Sequence, residues 1–178
     1  MAQGPLFRNG LMLSAIILVA DQLSKWWILE GLKLPEKGSV PLLPFLSFSM
    51  VWNKGISMGI PLGESLGKWG IIVLTAAISL WLVKWLWNSV RRVEALSLSL
   101  ILGGAIGNLI DRFIHGAVVD FVHLHAMDYN FYVFNVADSA ITVGVAILII
   151  DGLRGEGKSP KNAQKVAESS RDPEGESS

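Results

Sequence analysis

FNVADSAITVGVAILII, residues 134–150, decides the fold. It has the body of a membrane helix, yet Asp138 stands close to its beginning, where an ionisable group costs free energy. At 1.5 Å per residue about 20 helical residues cross a hydrocarbon core roughly 30 Å thick. Three further apolar runs, 11–29, 69–83 and 95–110, accompany the one at 131–150. The second and third reach spanning length as 65–87 and 92–114 if Lys84 snorkels and the charged ends sit at the interfaces. The reading is therefore a membrane all-α fold, a four-transmembrane-helix bundle with helices at about 11–29, 67–87, 93–114 and 131–152. Composition agrees: of 178 residues 51% are hydrophobic and 17% charged, with a mean hydropathy of +0.47, away from an ordinary soluble protein.

The first run is read as retained and not as a cleaved leader. Arg8 precedes it, but no A-x-A-like site follows, and Asp21 falls where small residues would end the apolar region. The loop 30–66 carries short apolar and aromatic stretches broken by Pro and Gly, chiefly within 39–63, which predicts small strands and turns in an extracytoplasmic, β-like platform between helices 1 and 2. Residues 1–153 form the membrane domain on this reading. The tail 154–178, rich in Gly, Ser, Lys and Glu, is expected to be disordered.

Formal net charge is zero, so no basic field points to nucleic acid. The distribution of charge is more useful. Arg8, Lys84, Arg91, Arg92, Arg154, Lys158, Lys161, Lys165 and Arg171 fall on one side of the bundle; the other side has Lys33, Lys37, Lys54 and Lys68 in one long loop, and 113–150 has no Lys or Arg. The positive-inside rule puts both termini in the cytoplasm. The chain has no cysteine, which removes thiolate nucleophiles, thiolate metal sites and disulfides together. Chemistry rests on carboxylates, hydroxyls, amines or three histidines.

Alternating helix directions place polar groups at one depth. Asp21 and Lys25 lie in the outer half of the first helix, Asn108, Asp111, Arg112 and His115 near the outer end of the third, and Asn135 and Asp138 near the outer end of the fourth. The third-helix residues are i, i+3, i+4 and i+7 and share a face, as do Asn135, Asp138 and Thr142. Such faces turn toward one another, because a charge near the bilayer centre costs about 2.5 to 3.5 kcal/mol. The bundle then has a polar pocket at its outer end. Asp21 has Lys25 one turn on, Asp111 has Arg112 beside it, and Asp151 has Arg154, which suits structural roles. Asp128 lies in a polar loop. Asp120, in HGAVVDFVHL, and Asp138 have no cation within four residues. Two such carboxylates in one pocket share a proton more cheaply than they carry two charges, and one acid with one base is what activation of water against a peptide bond requires. A single intramembrane aspartate often only hydrogen-bonds a neighbouring helix; the pair is harder to explain that way.

These residues also carry a resemblance. DQLSK (21–25), NKGISMG (53–59), GGAIGNLIDR (103–112), VVDF (118–121) and FNVAD (134–138) occur in an order in which the chain resembles lipoprotein signal peptidase, or signal peptidase II, a bacterial membrane aspartyl peptidase. The resemblance runs from the first helix to the fourth. It implies that Asp120 and Asp138 are the catalytic pair and that Asp21, Lys25, Asn53, Gly55, Asn108, Asp111, Arg112 and Asn135 support them or line the substrate pocket. It implies removal of the signal peptide from a prolipoprotein, before a diacylglyceryl-modified cysteine, in the bacterial inner membrane, with no metal and no cofactor. Prolipoprotein substrates and membrane lipids are the expected partners, and a monomer is expected. The residues after Gly55, Ile56-Ser57-Met58, depart from the family's small residues and aromatic, which bears on local pocket shape. Gly103, Gly104 and Gly107 suit close helix approach or room for a substrate helix, with ordinary small-residue packing as the alternative.

Other readings are weaker. GISMG (55–59) fits G-x-S-x-G, but that motif needs a strand-turn-helix elbow and a histidine. A Ser/Lys pair, Ser57 with Lys54 or Ser24 with Lys25, is a better rival. His115, His123 and His125 with Asp120 lack a well-spaced ligand set for a metal. A proton-coupled transporter would need polar residues along a whole transmembrane path, whereas the inner halves of the second and fourth helices have almost none.

Overall fold

The computed structural model describes residues 4–55, 64–126 and 129–156. Its elements are α1 (Pro5–Trp26), continued by a π-helical turn (Trp27–Gly31), a short α2 (Leu34–Lys37), β1 (Ser39–Leu43), β2 (Leu46–Asn53), α3 (Glu64–Asn88), α4 (Arg92–His115), β3 (Val118–Ala126), β4 (Tyr129–Phe134) and α5 (Val136–Glu156). Four of the helices, α1 with its π turn, α3, α4 and α5, are long and apolar enough to cross a membrane. The other part of the fold is a small antiparallel sheet in the order β1-β2-β3-β4.

The sheet differs from the platform expected between the first two long helices. Only β1 and β2 come from that loop; β3 and β4 come from the connection between α4 and α5. The run expected to begin the fourth helix at 131 instead supplies β4, and α5 starts at Val136. Tyr129–Phe134 reads YNFYVF, aromatic and β-branched residues that suit a strand, and pairing of Val122 with Phe134 and His123 with Val133 gives their backbone a ladder. Asn135 then ends the strand and caps the helix, its Oδ1 accepting from the Asp138 N–H at 2.8 Å and satisfying one of the orphan donors of the first turn.

Helix α4 is the hub. Within its most apolar window 56% is buried, against 22% for α1, 22% for α3 and 17% for α5. The other helices turn Ile16, Val19, Leu23, Val73, Leu74, Leu80, Val143 and Ile149 outward, as lipid-facing residues would be. Close approach to α4 depends on glycine. A Cβ on Gly104 would stand 2.5 Å from the Ala137 carbonyl oxygen, and one on Gly107 would stand 2.5 Å from Asp21 Oδ2, so neither position has room for a side chain. Of the two roles open for these glycines, the structure shows close helix approach.

Two apolar clusters hold the ends. Phe7, Leu82, Leu86, Ala95, Leu98 and Leu102 join α1, α3 and α4 near the chain's N-terminal end. Ile28, Leu34, Val119 and Phe121 join the π turn, α2 and β3 at the other, seating the sheet on the helix ends. Between this second cluster and the bundle lies the polar site. Arg91, the N-cap residue of α4, reaches Asp151, so this acid has a partner from outside its own helix and not, as expected, Arg154. Asp128, Ser57 and the tail 157–178 lie outside the described residues.

Candidate active site

At the sheet end of the bundle Lys25 organises the buried charges. Its ammonium is 2.8 Å from Asp21 Oδ2, 2.7 Å from Asp111 Oδ2 and 3.1 Å from Asn108 Oδ1. An ammonium has three donors, so all are used. Ser24 takes none of them; its hydroxyl donates to the Asp21 carbonyl instead, which removes the Ser24 and Lys25 pair as a nucleophile and base. Asp111 is thus paired with Lys25 from another helix, not with the adjacent Arg112 as sequence spacing suggested. Neighbours along a helix point about 100° apart, which is why i and i+1 do not face one another.

Each acid in this triad also fixes backbone. Asp21 Oδ1 accepts from the Ala137 N–H at 2.9 Å, tying α1 to the N-terminus of α5, where an anion is favoured. Asp111 Oδ2 accepts from the Val119 N–H at 3.0 Å, tying α4 to β3. Gln22, which no sequence argument singled out, donates to Asp111 Oδ1 at 3.0 Å, to Asp21 Oδ2 at 3.2 Å and to the Gly107 carbonyl at 3.3 Å. Its only sequence signal is its place next to Asp21.

Asp120 and Asp138 sit on the far side of two asparagines. Asn108 Oδ1 accepts from Lys25 and from Asn135 Nδ2, while Asn108 Nδ2 donates to Asp138 Oδ1 at 2.8 Å. Asn135 Nδ2 donates to Asp120 Oδ1 at 2.7 Å. Asn53, at the end of β2, donates to Asp120 Oδ2 at 3.0 Å. A single hydrogen-bonded chain therefore runs from α1 through α4 to β3 and α5, and both carboxylates end it. Asp120 is 1% exposed, and Asp138 is half-buried. Burial pushes the Asp120 carboxyl from the ordinary 3.8 up to about 6; donation from Asn53 opposes the rise, the charge of Asp138 adds to it, and Asn135 and Lys25 oppose it.

Arg112 lies within electrostatic reach of Asp138, Asp120, Asp111 and Tyr132. Its Nη1 donates to the Asn108 carbonyl at 3.3 Å, and its Nε is buried without a hydrogen-bond partner among the described residues. The pair that lacked a cation in sequence thus has one in space. Gly55, with φ +74°, donates its N–H to Asn53 Oδ1 at 2.9 Å in a tight turn, and a Cβ there would stand 3.6 Å from Arg112 Nη2. A cleft of about 490 Å³ opens beside Asp120 between this turn and β4, lined by Trp52, Asn53, Gly55, Phe131 and Tyr132 among others.

Some expected members stand apart. His115 is exposed, with its ring 5.5 Å from that of Trp52, because it lies in the last turn of α4, beyond the packed face. Thr142 is exposed on α5; Asn135 is the cap and not a helical residue, so the face expected to join the two does not form. His123 shares a hydrogen bond with Ser49 Oγ at 3.2 Å and faces His125 along β3. Neither histidine joins the carboxylate pair.

Comparison with known proteins follows the same outline. The family model described as signal peptidase (SPase) II matches residues 13–154. The chain is 44% identical over 155 residues to the lipoprotein signal peptidase of Methylorubrum extorquens (strain PA1), covering 86% of this chain and 91% of that one. It is 45% identical over 155 residues to the lipoprotein signal peptidase of Rhodopseudomonas palustris (strain ATCC BAA-98 / CGA009), covering 83% and 93%. A solved bacterial membrane enzyme, determined by the in meso method at 2.3 Å resolution, superposes with a TM-score of 0.71 at 30% identity, covering 85% of this chain and 92% of that one.

Proposed function

We propose that this chain, which belongs to the signal peptidase II family, is an aspartic endopeptidase of the bacterial inner membrane that removes the signal peptide from diacylglyceryl-modified prolipoproteins. Cleavage falls before the lipidated cysteine. Both termini are cytoplasmic, the sheet and the carboxylates lie near the outer leaflet, and the enzyme acts as a monomer without a cofactor. The observation that carries this reading is the joining of Asp120 and Asp138 by one network through Asn135 and Asn108.

The chemistry follows from that pair. Asp120, the more buried and with its carboxyl raised to about 6, holds the shared proton; Asp138, more open to water, is the base. Asp138 takes a proton from a water molecule as its oxygen attacks the scissile carbonyl, and Asp120 gives its proton to the carbonyl oxygen. Collapse of the tetrahedral diol breaks the C–N bond, with the proton on Asp138 passing to the leaving amine and a diol proton returning to Asp120. Arg112 and the Asn53, Asn108 and Asn135 amides supply fixed donors and positive charge where the site must carry negative charge. A substrate held by two acyl chains is anchored stably at the leaflet surface, so a site at that depth meets the bond by diffusion in two dimensions.

The test is cleavage of a lipid-modified precursor by purified Asp120→Asn and Asp138→Asn, each shown to be folded. Loss of a general acid or base lowers the rate by about 10²- to 10⁴-fold. Normal cleavage by either variant refutes the mechanism. Ser24→Ala and Ser57→Ala retain most activity on this reading, and their inactivity would return the Ser/Lys alternative. A proton-coupled transporter needs titratable groups through the inner half of the bundle; the buried polar side chains of that half among the described residues are serines, of which Ser14, Ser97 and Ser99 bond to backbone carbonyls.

A further inference from the structure

Tyr132 belongs to none of the motifs that pointed to the site. It lies in β4, and the residue is 66% exposed at the cleft beside Asp120. Its hydroxyl is 3.2 Å from Asn53 Nδ2, although β2 and β4 are not neighbours in the sheet. Two strand spacings make about 9.5 Å, a gap that a tyrosine facing an asparagine can bridge over β3.

The three contacts of Asn53 define its amide. Oδ1 accepts from the Gly55 N–H at 2.9 Å, which fixes the other end as the NH₂ group. One N–H of that group goes to Asp120 Oδ2 at 3.0 Å and the other to the Tyr132 oxygen at 3.2 Å. An amide with both protons and its carbonyl engaged cannot turn away from Asp120 without breaking a second bond. The Tyr132 bond is exposed, and it reaches Asn53 from β4, across the strand that carries Asp120.

We infer that Tyr132 is a positioning residue of the active site, its hydroxyl oxygen holding the Asn53 amide in the orientation that donates to Asp120. The inference rests on the peptidase reading for its consequence in catalysis. Its structural content, control of Asp120 through Asn53, does not need a substrate. Loss of the hydroxyl leaves only the Gly55 N–H holding the amide against rotation, so the carboxylate form of Asp120 loses part of a donor. Among the described residues, the other charged or titratable groups facing Asp120 are Asp138 from α5, Lys25 from α1, Arg112 from α4 and Lys54 at the cleft; Tyr132→Phe leaves all of them in place.

The experiment uses full-length Tyr132→Phe, which removes one oxygen from an exposed ring and opens no cavity. With a lipid-modified precursor peptide, kcat falls roughly three- to tenfold with KM little changed, and the alkaline limb of the rate profile moves up by about 0.4 to 1 pH unit, the worth of one weakened hydrogen bond. In an Asn53→Ala background the same substitution has no further effect. A limb that stays in place, a change confined to KM, or an equal loss in both backgrounds overturns the inference. Melting temperature against pH reads the same ionisation with no substrate: Tyr132→Phe is less stable than wild type above pH 7, matches it below pH 4, and shows no such pH dependence beside Asp120→Asn. If wild type fails to cleave the precursor, the peptidase reading fails; if the melting arm shows no pH dependence, this inference fails.

Discussion

Lys25→Met is the sharpest test of how the site is held together. Lys25 is 3% exposed, and its ammonium contacts Asp21 at 2.8 Å, Asp111 at 2.7 Å and Asn108 at 3.1 Å. Methionine has a similar length and an apolar end, so the substitution removes the charge without a large cavity. Two buried carboxylates are left facing each other without their cation, and breaking a buried pair from one side costs about 3 to 5 kcal/mol. For a chain of this size each kcal/mol moves Tm by roughly 2 to 4 °C, which gives a fall of roughly 6 to 20 °C. The 7 tryptophans allow this to be followed by intrinsic fluorescence in detergent. The accompanying triple variant, Lys25→Met with Asp21→Asn and Asp111→Asn, removes all three charges. Replacing a whole buried ionic group is far less costly than orphaning part of it, so the triple variant recovers more than half of the lost Tm. A single variant within about 2 °C of wild type, a small fraction of the fall expected from the cost of an orphaned buried charge, refutes the reasoning. So does a triple variant no more stable than the single one.

Two further outcomes bear on burial and packing. The Asp120 carboxyl is raised from 3.8 to about 6, so its burial disfavours the folded state increasingly as pH rises from about 4 through 6. Asp120→Asn is therefore the more stable protein above pH 7, by up to about 3 kcal/mol, and loses that advantage below pH 4; melting curves across that range check it. Gly104→Ala forces a methyl against the Ala137 carbonyl oxygen and Ile141 and lowers stability by about 1 to 3 kcal/mol. Gly70→Ala, where a Cβ meets nothing within 4 Å, is neutral or stabilising by up to about 1 kcal/mol, and the two melts side by side separate crowding from helix propensity.

The helices were legible because spanning length and lipid exposure are properties of a contiguous run. Ile16, Val73 and Val143 face outward whatever their neighbours do. The pairing of Asp21 with Lys25 was legible for the same reason, since i and i+4 meet on any helix. Strand β4 was not read, because YNFYVF abuts an apolar helix and hydropathy alone joins the two. The density of aromatic residues in YNFYVF is the signal available. The cation of Asp111 is not legible in the sequence because it is 86 residues away, nor are the roles of Gln22 and Tyr132, whose partners lie on other elements.

By itself the sequence determined four apolar spans, their alternation across a bilayer, and a level at which three of them place polar groups. Local periodicity and the cost of charge in hydrocarbon are sufficient for that. Tertiary structure alone decided how those groups are connected: Lys25 between two acids, Asn108 and Asn135 between the carboxylates, and Asn53 held at Asp120 by a tyrosine from β4. Hydrogen bonds depend on distances of a few tenths of an ångström between residues far apart in the chain, and only the packed helices and the four-stranded sheet bring those residues together.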